Sequence, residues 1–181
     1  MRRSQNRGMS PPSIRLATPA DLPAINFIYN YYVIHSTCTY QTEPSTAEQR
    51  QVWFAAHGLE YPVTVVEEAG EVVGWGSLSR FHTRSAYRPT VENSVYVRHD
   101  RLAQGIGRLL LEDLIRQAEA LGYHSIMALI SADQEPSIHL HDRLGFVTVG
   151  HLREVGKKFD RWLDVVYMQK MLGEERMKEK G

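Results

Sequence analysis

The chain has 181 residues, enough for one well-covered core and cramped for two full domains. Its 21 basic and 21 acidic residues cancel, which removes the charge excess expected of a nucleic-acid or membrane-surface binder. One cysteine, Cys38, excludes an internal disulfide, fits a reducing cytoplasm, and reads first as an apolar filler.

Residues 1–12 and 173–181 are expected as flexible tails around a single domain at 13–172. The segment Met1 to Gly8 leads into no apolar run of the secretory kind, and no run approaches the ~20 residues that span a bilayer. Ser13 to Ala17 predicts a strand, and Thr18 to Pro23 the entry to a helix through about Tyr32. A second helix is predicted from the start signal Glu43-Pro44-Ser45-Thr46-Ala47-Glu48 to Ala56. Val63–Glu67 and Val72–Leu78 read as the strands of a hairpin turning at Gly70, and Val91–Val97 as a further strand.

The helix that follows carries the clearest pattern. Ile106, Leu109, Leu110, Leu114, Ala118 and Leu121 fall on one face, and Gly122 supplies a left-handed stop. Ser125 to Ile130 predicts a buried strand, and Pro136 opens a short helix ending at Leu144-Gly145. Strands at Gly145–Val149 and Leu163–Lys170 complete the chain. A hairpin-rich front half followed by β-α-β-α-β predicts an α/β sandwich with a mixed sheet.

The junction between Val97 and the patterned helix is chemically the richest segment. It reads Arg98-His99-Asp100-Arg101-Leu102-Ala103-Gln104-Gly105-Ile106-Gly107-Arg108. A strand that passes through a short glycine-containing loop into a helix leaves free N–H groups where the helix dipole favours an anion. A P-loop would need Lys-Ser/Thr after Gly107, where Arg108 and Leu109 stand. A dinucleotide fingerprint would need a third glycine at Leu110.

What remains resembles the Gln/Arg-x-x-Gly-x-Gly/Ala loop of the acetyl-CoA-dependent GNAT N-acetyltransferases, with Leu102 at the Gln/Arg place and Arg101 one residue earlier. Further segments narrow the likeness: Tyr40-Gln41-Thr42-Glu43-Pro44, Arg84-Ser85-Ala86-Tyr87, Thr90 to Val97, Ser137 to Phe146, and Phe159 to Val165. Together they resemble the phosphinothricin/methionine sulfoximine N-acetyltransferases from about Ile14 to Leu172. The resemblance implies a single GNAT-type domain, α/β (α+β), with a mostly antiparallel mixed sheet flanked by helices. It also implies acetyl-CoA as co-substrate, a small amino-acid acceptor and a homodimer.

Roles follow from the same likeness. An ammonium must lose a proton before its nitrogen can attack a thioester, so a base is required beside it. Glu92 matches the family's general base; read alone, it is equally a solvated strand glutamate. Val95, Tyr96 and Val97 are expected to pair with the pantetheine arm, and Ala103, Gln104, Gly105, Ile106, Gly107 and Arg108 to hold the pyrophosphate. An N–H near Val97 is the expected oxyanion donor. Gln134 stands where the family carries an asparagine that bonds the pantetheine amides.

His141 occupies the place of a general-acid tyrosine, and reads equally as a core or capping histidine. Arg84 and Tyr87 are expected to hold the acceptor's carboxylate, with Lys158 a weaker second contact. Tyr31, Tyr32, Phe81 and Trp162 are candidate pocket walls or core residues. His139 and His141 are spaced two apart, a poor metal pair, and no metal is expected. Three functions stand apart: acetylation of a small amino-acid analogue, acetylation of a protein N-terminus, and a non-catalytic acyl-CoA-binding module. Arg84-x-x-Tyr87 and Glu92 favour the first.

Overall fold

The computed structural model describes residues 11–173; the outer parts of both expected tails, 1–10 and 174–181, lie outside the described residues. The elements are β1 Ser13–Leu16, α1 Leu22–His35, α2 Ala47–Ala55, β2 Val63–Glu68, β3 Glu71–Arg80, β4 Thr90–Val97, α3 Ile106–Ala120, β5 Ser125–Ser131, α4 Glu135–Arg143, β6 Val147–Lys158 and β7 Arg161–Met171. Seven strands form one mixed sheet in the order β1-β2-β3-β4-β5-β7-β6, antiparallel except between β4 and β5. No helix among the described residues is long and apolar enough to cross a membrane.

Alternation along β3 fixes which face each helix takes. Trp75 packs with Leu22, Ile25 and Ile28, which places α1 and α2 on its side. Gly74, Gly76 and Leu78 face the other way, toward α3. A Cβ at Gly74 would lie 2.9 Å from Ile106 Cγ2, and one at Gly76 3.0 Å from Leu114 Cδ1. The two glycines are therefore what lets α3 lie directly on the sheet. Leu111, Leu114 and Ala118 then close a core with Leu78, Val91, Ile126 and Phe146.

The element that matters most for function is the parallel seam. β4 and β5 are in register only at Thr90–Ser125, Val91–Ile126 and Glu92–Met127. β5 goes on pairing with β7 to Ser131, and β4 with β3 to Val97. The last five residues of β4 thus leave β5 behind, and the sheet opens as a wedge from Glu92 onward. The β3–β4 register is unbroken over the same stretch.

Three of the differences from the sequence-based boundaries have a direct physical reason. α1 runs one turn further, to His35, because Val33 is buried and Ser36 N–H still finds Tyr32 O at 3.0 Å. The strand expected from Gly145 begins at Val147, since Gly145 has φ +83 and closes the turn after α4. It also continues to Lys158, with register shifts at Thr148/Gly150 and Leu152/Gly156 that hide its alternation.

Candidate active site

The wedge is a cleft of about 560 Å³, with Glu92 to Tyr96 of β4 on one wall and Ala128 to Ser131 of β5 on the other. Its phase is set by one hydrogen bond: Arg98 N–H donates to Val73 O at 2.8 Å, extending the β3–β4 ladder. Such pairs recur every second residue, so Glu92, Ser94 and Tyr96 turn their amides to β3. Val95 and Val97 turn theirs to the β5 side, where β5 has departed. The Val97 carbonyl is taken by the Tyr32 hydroxyl, which leaves the N–H groups and Val95 O as the strand edge of the wedge.

Glu92 sits at the throat, where pairing ends. It is mostly buried, carries no hydrogen bond or ion pair among the described residues, and desolvation raises its pKa above the ordinary carboxylate value. Opposed residues share a face, so Glu92 lies with Ser79, Ser94 and Tyr96 under α1 and α2. Asn93 points the other way and donates from Nδ2 to His141 Nε2 at 2.9 Å. The cleft therefore passes through the sheet, with Glu92 on one face and His141 on the other.

His141 is 3% exposed, and its Nδ1–H donates to Ser137 O at 2.8 Å. Those two bonds select the neutral tautomer, and burial pushes its pKa down. His57 is shifted in the same direction by its own burial. A histidine with a depressed folded-state pKa is neutral in the fold while the unfolded chain takes up protons, so its stabilising share is present above the unfolded value and lost below it. The melting temperature should fall as pH drops through about 6.5, the ordinary imidazole value, and His141→Gln should flatten part of that fall in a melting series. An unchanged slope would remove the histidine from the balance.

The glycine-containing loop between Val97 and α3, the expected anion cradle, lies at the open end of the wedge. Gly105 caps α3 with φ +81, and Ala103 before it has φ 59, so the chain turns sharply into the helix. Leu109 N–H is the first to close an intrahelical bond, to Gly105 O at 3.0 Å. The amides of Ile106, Gly107 and Arg108 consequently have no partner within the helix. A Cβ at Gly107 would lie 3.4 Å from Leu140 and 3.7 Å from Val97, which puts the cradle between β4 and α4. Ala103, Gln104 and Gly105 are exposed. Arg101 is paired with Glu68 and Arg108 with Glu112, so the helix terminus itself supplies the free donors.

Other expected residues are placed differently. Gln134 lines the cleft but donates from Nε2 to Thr37 Oγ1 at 2.8 Å. Arg84 and Tyr87 lie outside the cleft lining, in an exposed loop. There the Tyr87 ring packs on His82 at 4.7 Å and the Arg84 amide bonds His82 Nδ1. Lys158 is buried, its ammonium held 2.7 Å from both Ser36 O and Thr39 O, which spends it on carbonyls. Tyr31 stacks on His99, and Trp162 is largely exposed. Tyr29 and Tyr40 wall the cleft instead. A Cβ at Gly156 would collide with the Tyr40 ring, so this glycine in β6 is what admits it. No group of three or more His, Cys, Asp or Glu among the described residues is arranged to hold a metal.

Residues 14–167 match the family model described as the acetyltransferase (GNAT) domain. The L-methionine sulfoximine/L-methionine sulfone acetyltransferase of Pseudomonas paraeruginosa is 44% identical over 159 residues, 87% of this chain and 92% of that one. The phosphinothricin N-acetyltransferase of Streptomyces viridochromogenes is 37% identical over 160 residues, covering 88% and 87%. Among solved structures, yncA of Salmonella typhimurium with its cofactor acetyl-CoA superposes with a TM-score of 0.88 at 39% identity, covering 91% of this chain and 96% of that one.

Proposed function

The chain belongs to the GNAT acetyltransferase family, and on that premise we propose that it moves the acetyl group of acetyl-CoA to the α-amino group of a small amino-acid analogue. The acceptor class is that of phosphinothricin, methionine sulfoximine and methionine sulfone, after the names of its relatives. The observation that carries this reading is the wedge between β4 and β5 with an unpartnered, desolvated carboxylate at its throat. A thioester held on the edge of β4 would have its carbonyl beside that throat.

The residues present suit the co-substrate. The amides of Ile106 to Arg108, with Ala103 to Gly105 shaping the turn, would receive the pyrophosphate. The free edge at Val95 and Val97 would take the pantetheine amides as a strand would, with Gln134 across the cleft. From the α1–α2 face the acceptor's ammonium meets Glu92, which accepts its proton. The freed nitrogen attacks the thioester carbon, whose oxygen gains charge facing the Val97 N–H; the carbon–sulfur bond then breaks to release thiolate, and the second proton lost from the nitrogen goes to that sulfur, leaving the neutral amide and the thiol.

A simple thiol titrates near ~8.5, so the thiolate leaves with less help than an alkoxide would need. That fits the neutral His141, which would have to take a proton at Nε2, now engaged by Asn93, before giving one. Arg84 and Tyr87, expected from the sequence to hold the acceptor's carboxylate, lie in an exposed loop and are not among the groups that line the cleft. The chain is read as a cytoplasmic homodimer with a detoxifying or amino-acid-modifying role.

The test follows coenzyme A thiol release with phosphinothricin, methionine sulfoximine, methionine sulfone, ordinary amino acids and N-terminal peptides. Release with the amino-acid analogues and none with peptides is expected. Release with peptides alone would move the function to protein N-termini, and acetyl-CoA binding without release would make the chain a binding module.

A further inference from the structure

Glu92 is not the only unpartnered charge on its face of the sheet. Arg50 of α2 is 4% exposed and has no carboxylate partner among the described residues. Its Nε donates to Asn26 Oδ1 at 3.1 Å, and its guanidinium carbon lies 4.6 Å from the Tyr29 ring and 4.7 Å from the Trp53 ring. The two terminal nitrogens make no hydrogen bond among the described residues. Stacking on aromatic faces returns only part of what burying an unpaired charge costs. A side chain held in this way is short of an anion.

The guanidinium borders a second cavity of about 350 Å³, whose walls include Ser77 and Ser79 of β3 and Ser94 of β4. Ser79 is the register partner of Glu92, and Ser94 lines both this cavity and the wedge. Trp75, also on the wall, keeps its buried indole N–H without a partner among the described residues. One face of β3–β4 thus presents an unpaired carboxylate and, beyond a serine-lined hollow, an unpaired guanidinium. That is the complement of a zwitterion.

We propose that the Arg50 cavity is the subsite for an oxyanionic group of the acceptor, engaged by the guanidinium while the amine meets Glu92. The subsite presupposes the amino-group acceptor proposed above. Two groups of such an acceptor share this chemistry, the α-carboxylate and the phosphorus- or sulfur-bound oxygens of the side chain. Arg50→Gln separates them from each other and from a purely structural role.

Two ratios of kcat/KM are measured in the unsubstituted and Arg50→Gln proteins: amino acid against its carboxamide, and methionine sulfone against methionine. Charge-assisted bonds worth ~1.5–3 kcal/mol each predict that one ratio falls on the order of 10- to 100-fold. A fall in the first identifies the carboxylate, and a fall in the second the side-chain oxygens. Equal loss for every acceptor would make Arg50 structural and overturn the proposal, as would no loss at all.

A second readout does not need turnover. With Trp162→Phe, the remaining tryptophans are Trp53 and Trp75, both on the cavity wall. Methylphosphonate should then give a saturable fluorescence change at about millimolar concentration, abolished by Arg50→Gln. No saturable change would overturn the subsite. A change with no acetylation of any amino acid would keep the subsite and sink the acceptor reading instead.

Discussion

Glu92→Gln should lower kcat by ~10²- to 10⁴-fold, the usual worth of a positioned base, while leaving the KM for acetyl-CoA unchanged. Glutamine keeps the shape of the side chain at the throat of the wedge and removes only the proton acceptor. In the unsubstituted protein the acid limb of kcat/KM should lie above the ordinary glutamate value of ~4.3, because burial without a compensating partner raises this carboxyl. The same burial predicts a stability signature of opposite sign to the activity loss. The fold binds this proton more tightly than the unfolded chain, so stability falls as pH rises from the unfolded value through the folded one. At neutral pH the ionised carboxylate is a standing cost that glutamine removes. Glu92→Gln should therefore melt higher than the unsubstituted protein at pH 7 and alike near pH ~4. Wild-type turnover in Glu92→Gln would leave the base unassigned.

The second large effect is expected at Gly105. Its φ of +81 is what turns the loop into α3 with three amides open, and a Cβ there would meet nothing within 4 Å. Space is therefore not the constraint; backbone conformation is. An L-residue held left-handed costs ~1–2 kcal/mol, more for a β-branched one. Gly105→Val should relieve that strain by leaving the left-handed region, which scatters the amides of Ile106 to Arg108. The KM for acetyl-CoA should rise ~10- to 100-fold, the net worth of about one charge-assisted bond, with the acceptor KM little changed. Gly105→Asn, which tolerates the left-handed region, should fall between. A valine variant with an unaltered KM for acetyl-CoA would separate the pyrophosphate from this turn.

Much of the architecture was legible because its determinants are local. Ile106, Leu110, Leu114 and Ala118 announced α3 by spacing, and each is buried as that spacing requires. Leu121, counted on the same face, is exposed because the helix has ended by Ala120. Strict alternation in β4 put Glu92 and Ser94 on one side and Asn93 on the other. The hairpin between β6 and β7 was hidden because Phe159 and Asp160 take positive φ without a glycine or Asn-Gly signal.

The site was harder to read, since it depends on where pairing stops. Nothing in Thr90 to Val97 says that β5 leaves after Glu92; that follows from how β5 is drawn to β7. Nothing local in the sequence distinguishes Arg50 from any other helix arginine; its role depends on how α2 lays it over Tyr29 and Trp53. Arg84, prominent in the sequence pattern, sits on an exposed loop.

On the proposed reading, the opened edge of β4 and the start of α3 form one continuous seat for acetyl-CoA. Hydrogen–deuterium exchange of the full chain, with and without coenzyme A, tests it most directly. Slowed exchange confined to residues 93–97 and 103–108 is the predicted result. Protection elsewhere, with these two segments unchanged, would contradict it.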